Sequence, residues 1–508
     1  MTDASRPLET AAEPANLRRI AIDPVSRVEG HGKVTLLLDE DNRVQQVRLH
    51  IVEFRGFEQF IVGRPYWEVP VMVQRLCGIC PVSHHLAASK ALDRVVGGWP
   101  VPPTADRLRR LMHYGQIVQS HALHFFHLAS PDLLFGFGAD VAQRNIVGVA
   151  QTYPDAAREG VMLRKFGQEV IRATSGKRVH GTGSVPGGMN RTLLPEDRAT
   201  LCADLPQVLA WAENAVDLIE RLYTGLPPHL VGFANTPAAM MSLVGPDGAM
   251  ELYDGQLRLR EADGRITVDG FEDQRYRELI DEAVKPWTYM KFPYRRALGP
   301  EAGWYRVGPL ARVQNCDHIP SPRAEARRRV FVDAHGGRPV HAILATHWAR
   351  MIEVLHGVEM VAQMLNDPAS FDGPLRAEGP HQRSGVGIIE APRDTLIHEY
   401  EVGDDDLVTH CNLIVSTTHN NQAMNEAVRA VALQYLDGQT ITEPLLNHLE
   451  VAIRAYDPCL SCATHALGQM PLSVTLRDVQ GEVLDHVLRS SDGSTLRGAT
   501  PHPMERPD

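Results

Sequence analysis

The sequence predicts an α+β fold, in which a central helix bundle carries a small antiparallel β region at its N-terminal end. Near the N-terminus, apolar segments at residues 33–38 and 44–51 flank a turn at 39–42, which is typical of paired antiparallel strands. Through the middle of the chain, apolar residues recur at helical spacing over long segments. With 508 residues, the chain is long enough to bury a large core between these helices.

The predicted helices are bounded by residues that stop helix propagation. One helical segment ends before Gly225, and the last follows Thr442, a candidate N-cap, and ends before Pro458. The predicted helical segments are 83–96, 113–130, 208–223, 341–365, 420–436 and 445–455.

Composition excludes several classes of protein. The net charge of -11 and the lack of a Lys/Arg-rich run argue against a nucleic-acid partner. The apolar stretches are shorter than the roughly 18 residues that a membrane span needs. Residues 1–17 are polar and carry no secretion signal, so we expect a mobile N-terminal tail. The seven cysteines form a poor disulfide framework, which together with these features predicts a cytoplasmic protein.

Two Cys-x-x-Cys pairs lie at opposite ends of the chain. The first is Cys77 and Cys80 in the segment RLCGICPVSH, and the second is Cys459 and Cys462 in the segment DPCLSCATH. The first pair precedes the predicted helix 83–96, whose N-terminal amides favour thiolate over thiol. Four thiolates in two pairs are ligands for a soft metal, so we expect the two ends of the chain to meet at one metal site.

The spacing of the pairs does not identify the metal. A structural zinc site with four cysteine ligands is the commonest reading of two such pairs. Zinc ribbons, however, separate their pairs by roughly 15 to 20 residues, whereas hundreds intervene here. A chain of this length also needs no metal staple to fold.

The residues flanking the cysteines resemble those of the large, catalytic subunit of nickel-iron hydrogenases. Three further segments match that family in the expected order: RVEGH at 27–31, FRGFE at 54–58 and APR at 391–393. The resemblance extends from about residue 18 to residue 465, and the segment after Cys80 is most similar to the soluble NAD-reducing (bidirectional) subgroup. It implies the nickel-iron hydrogenase large-subunit fold for residues 18–465.

The resemblance implies a nickel-iron centre held by the four cysteines. Cys77 and Cys459 would be terminal nickel ligands, and Cys80 and Cys462 would bridge to an iron that carries carbon monoxide and cyanide. Dihydrogen splits heterolytically only if the hydride and the proton have separate acceptors. The resemblance assigns the proton to the thiolate of Cys459, because that sulfur is not shared with iron.

Further matches imply roles beside this centre. Glu29 matches the family's proton gate, although on its own it could be a surface glutamate at a strand end. Arg393 matches a guanidinium over the open face of the metals, whereas on its own it could form a surface salt bridge. The family usually has glycine after this arginine, and this chain has Asp394. Ser416 and Thr417 align with residues that hydrogen-bond a cyanide.

The resemblance also implies a magnesium site that fixes the C-terminal segment. Its ligands would be Glu58, the carbonyl of Leu413 and His465, a set dominated by the hard oxygen donors that magnesium prefers. Without the family context, Glu58 would be interpreted as a solvated surface residue.

Other histidines and cysteines are expected to have structural roles and no part in metal binding or catalysis. His121, His124 and His127 share one helical face and are expected to be core or lining residues. The segment 316–318, Cys-Asp-His, is expected to be a loop without a chemical role. The sequence contains no glycine-rich dinucleotide fingerprint, so we do not expect this chain to bind NAD itself.

The 43 residues beyond His465 are expected to be an extension that is removed on maturation. The resemblance implies cleavage after His465 by a maturation protease, and it implies nickel-insertion proteins as further partners. Within residues 466–508, the apolar segments 472–476 and 483–488 predict a hairpin.

The predicted function is the reversible heterolytic cleavage of dihydrogen into protons and electrons. The chain has too few spare cysteines for iron–sulfur clusters, so we expect a small iron–sulfur subunit to take the electrons. The resemblance implies a flavin-containing diaphorase module that passes them to NAD. The alternatives are a hydrogen-sensing regulatory subunit with the same metal site, a quinone-reducing subunit of the same fold, and a zinc-stapled scaffold. Quinone-reducing relatives lack the four cysteines.

Overall fold

Helices form the centre of the protein and small sheets surround them, as the sequence predicts. The computed structural model describes residues 8–367, 371–464, 472–489 and 494–498. Its α-helices are α1 Phe57–Ile61, α2 Val69–Met72, α3 Pro81–Val95, α4 Pro103–Leu123, α5 Ser130–Phe135, α6 Ile146–Thr152, α7 Pro154–Ser175, α8 Pro195–Thr224, α9 Tyr276–Leu279, α10 Gly299–Ala302, α11 Pro309–Asn315, α12 Pro322–Ala334, α13 Ala345–Leu365, α14 Ser416–His419, α15 Asn421–Val431 and α16 Glu443–Ala455.

The strands form small, separate sheets. β1 Arg18–Ile22, β2 Gly32–Leu38 and β3 Val44–Ile51 make the predicted N-terminal antiparallel sheet. The other sheets are β4 Ser184–Val185 with β5 Gly188–Met189; β6 Ala239–Val244, β7 Gln256–Arg260 and β8 Ile266–Phe271 with β11 Tyr305–Arg306; β9 Ile280–Ala283 with β10 Phe292–Arg295; β12 Ser384–Ala391, β13 Asp394–Val402 and β14 Val408–Ile414; and β15 Leu472–Arg477, β16 Val483–Arg489 and β17 Thr495–Arg497.

Close helix packing builds the bundle. Helix α4 packs against α7 and α13, and α13 packs against α8. A side chain at Gly167 would place its Cβ 2.5 Å from the carbonyl oxygen of Gly115, so glycine is needed where α7 crosses α4. Beyond Leu123 the backbone passes through a π-helical segment, His124–Ala129, into α5, which confirms the predicted helical segment 113–130.

Two other predictions concern the ends of the chain. Leu8 is buried, its carbonyl accepts a hydrogen bond from Val47 N at 2.9 Å, and Ala11 N donates to Gln46 Oε1 at 3.0 Å. The sequence predicts a mobile tail for residues 1–17. For residues 8–11 this prediction is corrected, because the burial of Leu8 and the two hydrogen bonds attach them to β3. Residues 1–7 lie outside the described residues. The pairing of β15 with β16 confirms the predicted C-terminal hairpin.

Within the described residues, no helix combines the length and the hydropathy required to cross a membrane.

A buried ion pair joins two bundle helices and provides a test of the fold. Arg109 on α4 donates to both carboxylate oxygens of Asp93 on α3, at 2.5 and 2.9 Å, and both side chains are fully buried. Asp93→Ala leaves the guanidinium without its counter-ion, so we expect a loss of about 3–5 kcal/mol in the free energy of unfolding. Chemical denaturation measures this. Asp155→Ala breaks an exposed pair with Arg158 and is expected to cost less than about 1 kcal/mol; equal losses would contradict the prediction.

Candidate metal centre

The four cysteines of the two pairs converge in the core, as predicted. All four are buried, and their sulfur atoms lie within 4.8 Å of one another. Cys459 Sγ is 3.3 Å from Cys77 Sγ, 4.0 Å from Cys80 Sγ and 2.7 Å from Cys462 Sγ. None of the seven cysteines is in a disulfide. The two ends of the chain therefore meet at one cluster of thiols.

Local structure fixes each pair. Cys77 follows a 3-10 turn, Val73–Leu76, and Cys80 is the N-cap residue of α3. The sulfur of Cys77 accepts hydrogen bonds from the amides of Ile79 and Cys80 at 3.3 and 3.2 Å. Such amides stabilise thiolate over thiol.

The second pair lies on a loop after α16. Asp457, with a positive φ of 54°, turns the chain away from the helix axis. Cys459 then forms a β-bridge with Glu29, and its amide donates to Thr417 Oγ1 at 2.8 Å. The N-terminal segment and the start of α14 thus hold the second pair against the first.

The electrostatics of the cluster fit a bound cation. Burial opposes ionisation of Cys77, but hydrogen bonds from the other three cysteines and the charge of Arg393 outweigh it and hold its pKa well below the usual range. Burial and the neighbouring sulfurs raise the pKa of Cys459 and of Cys462 well above the usual range. A metal cation would offset the cost of ionising all four, and the soft donors suit nickel, iron or zinc.

Arg393 lies beside the cysteines in a buried position. Its guanidinium interacts electrostatically with Cys459, Cys80 and Cys77. Its Nε donates to Asp457 Oδ1 at 3.1 Å, whereas Nη1 and Nη2 have no hydrogen-bond partner among the described residues. Buried donors without partners are costly, so they indicate that a group outside this chain accepts from them. Polar ligands on a metal would supply such acceptors.

The residue after Arg393 departs from the family pattern. Asp394 has a φ of 154°, a conformation that favours glycine. Its carboxylate accepts from Asn420 Nδ2 at 2.8 Å, and a Cβ at Gly308 would lie 2.0 Å from its Oδ1. This chain therefore accommodates the aspartate with a nearby amide donor and a glycine that leaves room for it.

Glu29 reaches the second cysteine pair but is half-buried in this chain. One carboxylate oxygen accepts from the hydroxyl of Ser461, and the other accepts from the Ser461 amide at 3.3 Å. The residue as a whole is only partly buried. The backbone of Glu29 is bridged to that of Cys459, so its side chain lies beside the loop that carries the second cysteine pair.

The residues expected to contact a cyanide lie at the start of α14. Ser416 and Thr417 are both buried. The hydroxyl of Thr417 already accepts from Cys459 N, so in this structure it positions the cysteine loop. Its role toward a cyanide stays a prediction.

Two of the three predicted magnesium ligands, Glu58 and Leu413, lie next to each other. Glu58 Oε1 accepts from Leu413 N at 2.9 Å. Leu413 is on the edge strand β14, where the N–H and C=O of one residue point to the same side, so its carbonyl faces Glu58 as well. His465 lies outside the described residues. The carbonyl of Thr464 accepts from the amides of Arg55 and Gly56 at 3.2 Å each, which brings the chain to the start of α1.

Sequence reasoning missed two charged residues at this position. Lys291 Nζ lies 3.4 Å from Glu58 Oε1 and 3.0 Å from Glu282 Oε2. Glu282 Oε1 is buried without a hydrogen-bond partner among the described residues, and burial raises its pKa. Two converging carboxylates, one with an unpaired oxygen, fit a hard cation such as magnesium. No signal near residues 280–295 marked them, because the contacts are long-range.

The histidines set aside in the sequence lie where expected. His121 Nε2 is 2.9 Å from Glu353 Oε2, and His124 Nε2 is 2.7 Å from the carbonyl oxygen of Arg454. Burial lowers the pKa of both below the usual range. His127 is partly buried, and Cys316 is buried with its sulfur 3.6 Å from Val313 O. Among the residues that the structure describes, none of these side chains joins the four cysteines in a cluster of metal-ligating groups.

Comparison with known families and proteins gives one consistent answer. The family described as nickel-dependent hydrogenase matches residues 55–152 and 253–465, and the family described as HoxL-like matches residues 19–54. The chain is 46% identical over 487 residues to the NAD-reducing hydrogenase HoxS subunit beta of Cupriavidus necator, covering 93% of this chain and 100% of that protein.

Solved structures have the same architecture. A crystal structure of an NAD+-reducing [NiFe]-hydrogenase in the H2-reduced state matches with a TM-score of 0.87 and 59% identity, covering 88% of this chain and 99% of that one. A Ni-Fe-Se hydrogenase of D. vulgaris Hildenborough in the reduced state matches with a TM-score of 0.70 and 22% identity, covering 88% of this chain and 100% of that one. The second likeness concerns the fold alone.

Proposed function

The chain belongs to the nickel-dependent hydrogenase family, and we propose that it is the catalytic large subunit of an NAD-reducing nickel-iron hydrogenase. The observation that carries the proposal is the buried cluster of four cysteines beside the unpartnered guanidinium of Arg393. The reaction is the reversible cleavage of dihydrogen into protons and electrons. The relatives reported above are named as hydrogenases, which favours an enzyme over the hydrogen-sensing alternative.

The cysteines would hold the metals. Cys77 and Cys459 would be terminal ligands to nickel, and Cys80 and Cys462 would bridge to iron. A nickel-iron centre with carbon monoxide and cyanide on iron, when bound, supplies the chemistry that splits dihydrogen heterolytically. Burial of all four cysteines excludes water from the site, and exclusion of water strengthens each electrostatic interaction inside it.

The chain's own residues would manage the proton and the polar ligands. The thiolate of Cys459 would accept the proton, and Glu29, which accepts a hydrogen bond from Ser461 two residues further along the loop, would receive it and pass it to the surface. Arg393 would donate from Nη1 and Nη2 to ligands on the metal. Ser416 and Thr417 would line the same face.

A magnesium ion at Glu58, the Leu413 carbonyl and His465 would fix the C-terminal segment. The unpaired oxygen of Glu282 supports a cation at this position. Carboxylate oxygens of Glu58 and Glu282 converge on this position, 3.4 and 3.0 Å from Lys291 Nζ, and they are the hard donors that magnesium prefers.

Electrons would leave through a small iron–sulfur subunit and a flavin-containing diaphorase module that reduces NAD. Within the part of the chain that the structure describes, the spare cysteines Cys202, Cys316 and Cys411 form no cluster with one another, which supports a separate electron carrier. A cytoplasmic location, maturation by a protease and nickel-insertion proteins are further parts of the proposal.

Elemental analysis tests the proposed function. We expect the purified complex to contain nickel and iron together, and to take up hydrogen with reduction of NAD. Zinc in place of nickel would overturn the assignment and leave the scaffold alternative.

We expect active enzyme to end at His465. Ala463 and Thr464 are buried, and the amides of Arg55 and Gly56 hold the Thr464 carbonyl, so the chain enters the core there. The match to the nickel-dependent hydrogenase family also ends at residue 465. Removal of the 43 residues beyond His465 would leave a short end that can tuck inward and keep water out of the site. Mass spectrometry should show the shortened chain.

The intact tail on fully active, metal-loaded protein would contradict that expectation. A chain that is made without residues 466–508 from the start should fail to acquire nickel, if the tail holds the site open for loading. Nickel content and chain mass of the same sample separate the two steps.

A further inference from the structure

The loop that carries Arg393 is a hairpin turn buried in the core. Strands β12 and β13 pair up to Ala391 and Asp394, so Pro392 and Arg393 alone make the turn. Turns usually lie at the surface, because their backbone groups need water or other partners. Here Ala391, Arg393 and Asp394 are each at most 2% exposed, and Pro392 is buried as well. The carbonyls of the turn therefore require partners from the protein.

Arg312 provides those partners. This residue of α11 is 1% exposed. Its Nη1 donates to the Ala391 carbonyl at 3.1 Å, and its Nη2 donates to the Pro392 carbonyl at 3.3 Å. These are the two carbonyls immediately before Arg393. A single guanidinium thus holds the backbone on which the Arg393 side chain is mounted.

Two buried carboxylates in turn fix Arg312. Glu353 of α13 accepts from Nε and Nη2 at 2.7 and 2.6 Å, and Glu390 of β12 accepts from Nη1 at 3.0 Å. Glu353 also contacts His121 of α4 at 2.9 Å. All five donor hydrogens of a guanidinium lie in one plane, so this set of acceptors fixes its orientation.

We propose that Arg312 is a positioning residue for the hydrogenase reaction, which holds the buried turn so that Arg393 is aimed at the metal centre. The proposal rests on the proposed function, since Arg393 acts there on the metal's ligands. Helices α4, α11 and α13 would then do more than pack against one another. They carry His121, Arg312 and Glu353, the hydrogen-bonded side chains that determine where the guanidinium of Arg393 lies. Lysine at position 312 would keep the charge but lose the planar set of donors.

The test compares Arg312→Lys with Arg109→Lys. Arg109 is a matched control, because it is also fully buried, binds both oxygens of one carboxylate, and donates to two carbonyls, of Val185 and Gly188. Its partner Asp93 lies thirteen residues along α3 from Cys80, roughly 20 Å away. Both variants should lose a similar amount of stability, so any further difference reports on the site.

We expect Arg312→Lys to retain nickel and iron, to shift the infrared bands of the diatomic ligands, and to lower turnover per nickel by about tenfold to a hundredfold. Arg109→Lys should leave the bands and the turnover per nickel unchanged. In an Arg393→Lys background, Arg312→Lys should add little, because both changes act through one guanidinium.

Independent, multiplicative losses in that double variant would overturn the proposal, as would wild-type infrared bands in Arg312→Lys. If Arg312→Lys does not fold, Glu353→Gln enters the same cycle, since it keeps the side-chain volume and weakens the hold on Arg312. Nickel and hydrogen uptake of the unaltered enzyme test the proposed function separately, so the two failures are distinguishable.

Discussion

Cys459→Ser is expected to remove bound nickel and hydrogen uptake together. Cys459 Sγ is within 4.0 Å of each of the other three sulfurs, so it lies at the middle of the cluster. A serine hydroxyl is a hard, weakly acidic ligand that does not replace a thiolate for a soft metal. It also cannot serve as the proton acceptor near neutral pH. We expect turnover to fall by more than about a thousandfold, with nickel below the detection limit of elemental analysis.

Cys202→Ser is the matched control. Cys202 is half-buried on α8, and its sulfur lies 3.9 Å from the carbonyl oxygen of Leu365. The same exchange there should leave nickel content and uptake close to those of the unaltered enzyme. Full hydrogen uptake by Cys459→Ser would exclude the cluster as the site of the reaction.

The parts of the fold with a local cause could be predicted from the sequence. The turn at 39–42 and the apolar segments on either side of it encode β2 and β3, and helical periodicity encodes α13 and α15. Helix α8 begins at Pro195, thirteen residues before the predicted start, because its first half carries polar residues on most faces. Tertiary packing, which the pattern does not record, extends the helix there.

Some residues of the candidate site could likewise be predicted from the sequence, and others could not. The cysteine pairs were recognisable because both ligands of a pair lie close together in the sequence and carry distinctive flanks. Lys291, Glu282 and Arg312 were not, because their partners lie far away in the chain and a lone Arg, Lys or Glu has no local signature. Their functions depend on burial and convergence, which only the fold creates.

Glu29 lies between the loop of the second cysteine pair and the solvent. The sequence places Glu29 in a family motif, and the fold brings it to Ser461, but it stays half-buried. A partly buried carboxylate suits the proposed proton gate, since a proton would have to pass from the dry cluster to water. The geometry therefore gives Glu29 two neighbours: the loop of Cys459 on one side and the surface on the other.

Glu29→Gln is expected to uncouple metal loading from turnover. Glutamine keeps the shape: its Oε1 can accept from the Ser461 amide while its Nε2 donates to the Ser461 hydroxyl, so nickel and iron should load normally. It cannot ionise, so it cannot carry a proton away from Cys459, and loss of such a group typically costs about a hundredfold to ten-thousandfold in rate. Hydrogen/deuterium exchange with solvent should fall with turnover, whereas para/ortho conversion of hydrogen, which needs no net proton exit, should partly survive. The same exchange at the exposed Glu68 should change none of these rates. If Glu29→Gln exchanged hydrogen with solvent at the rate of the unaltered enzyme, protons would have to leave by another route, and the assignment of Glu29 would be wrong.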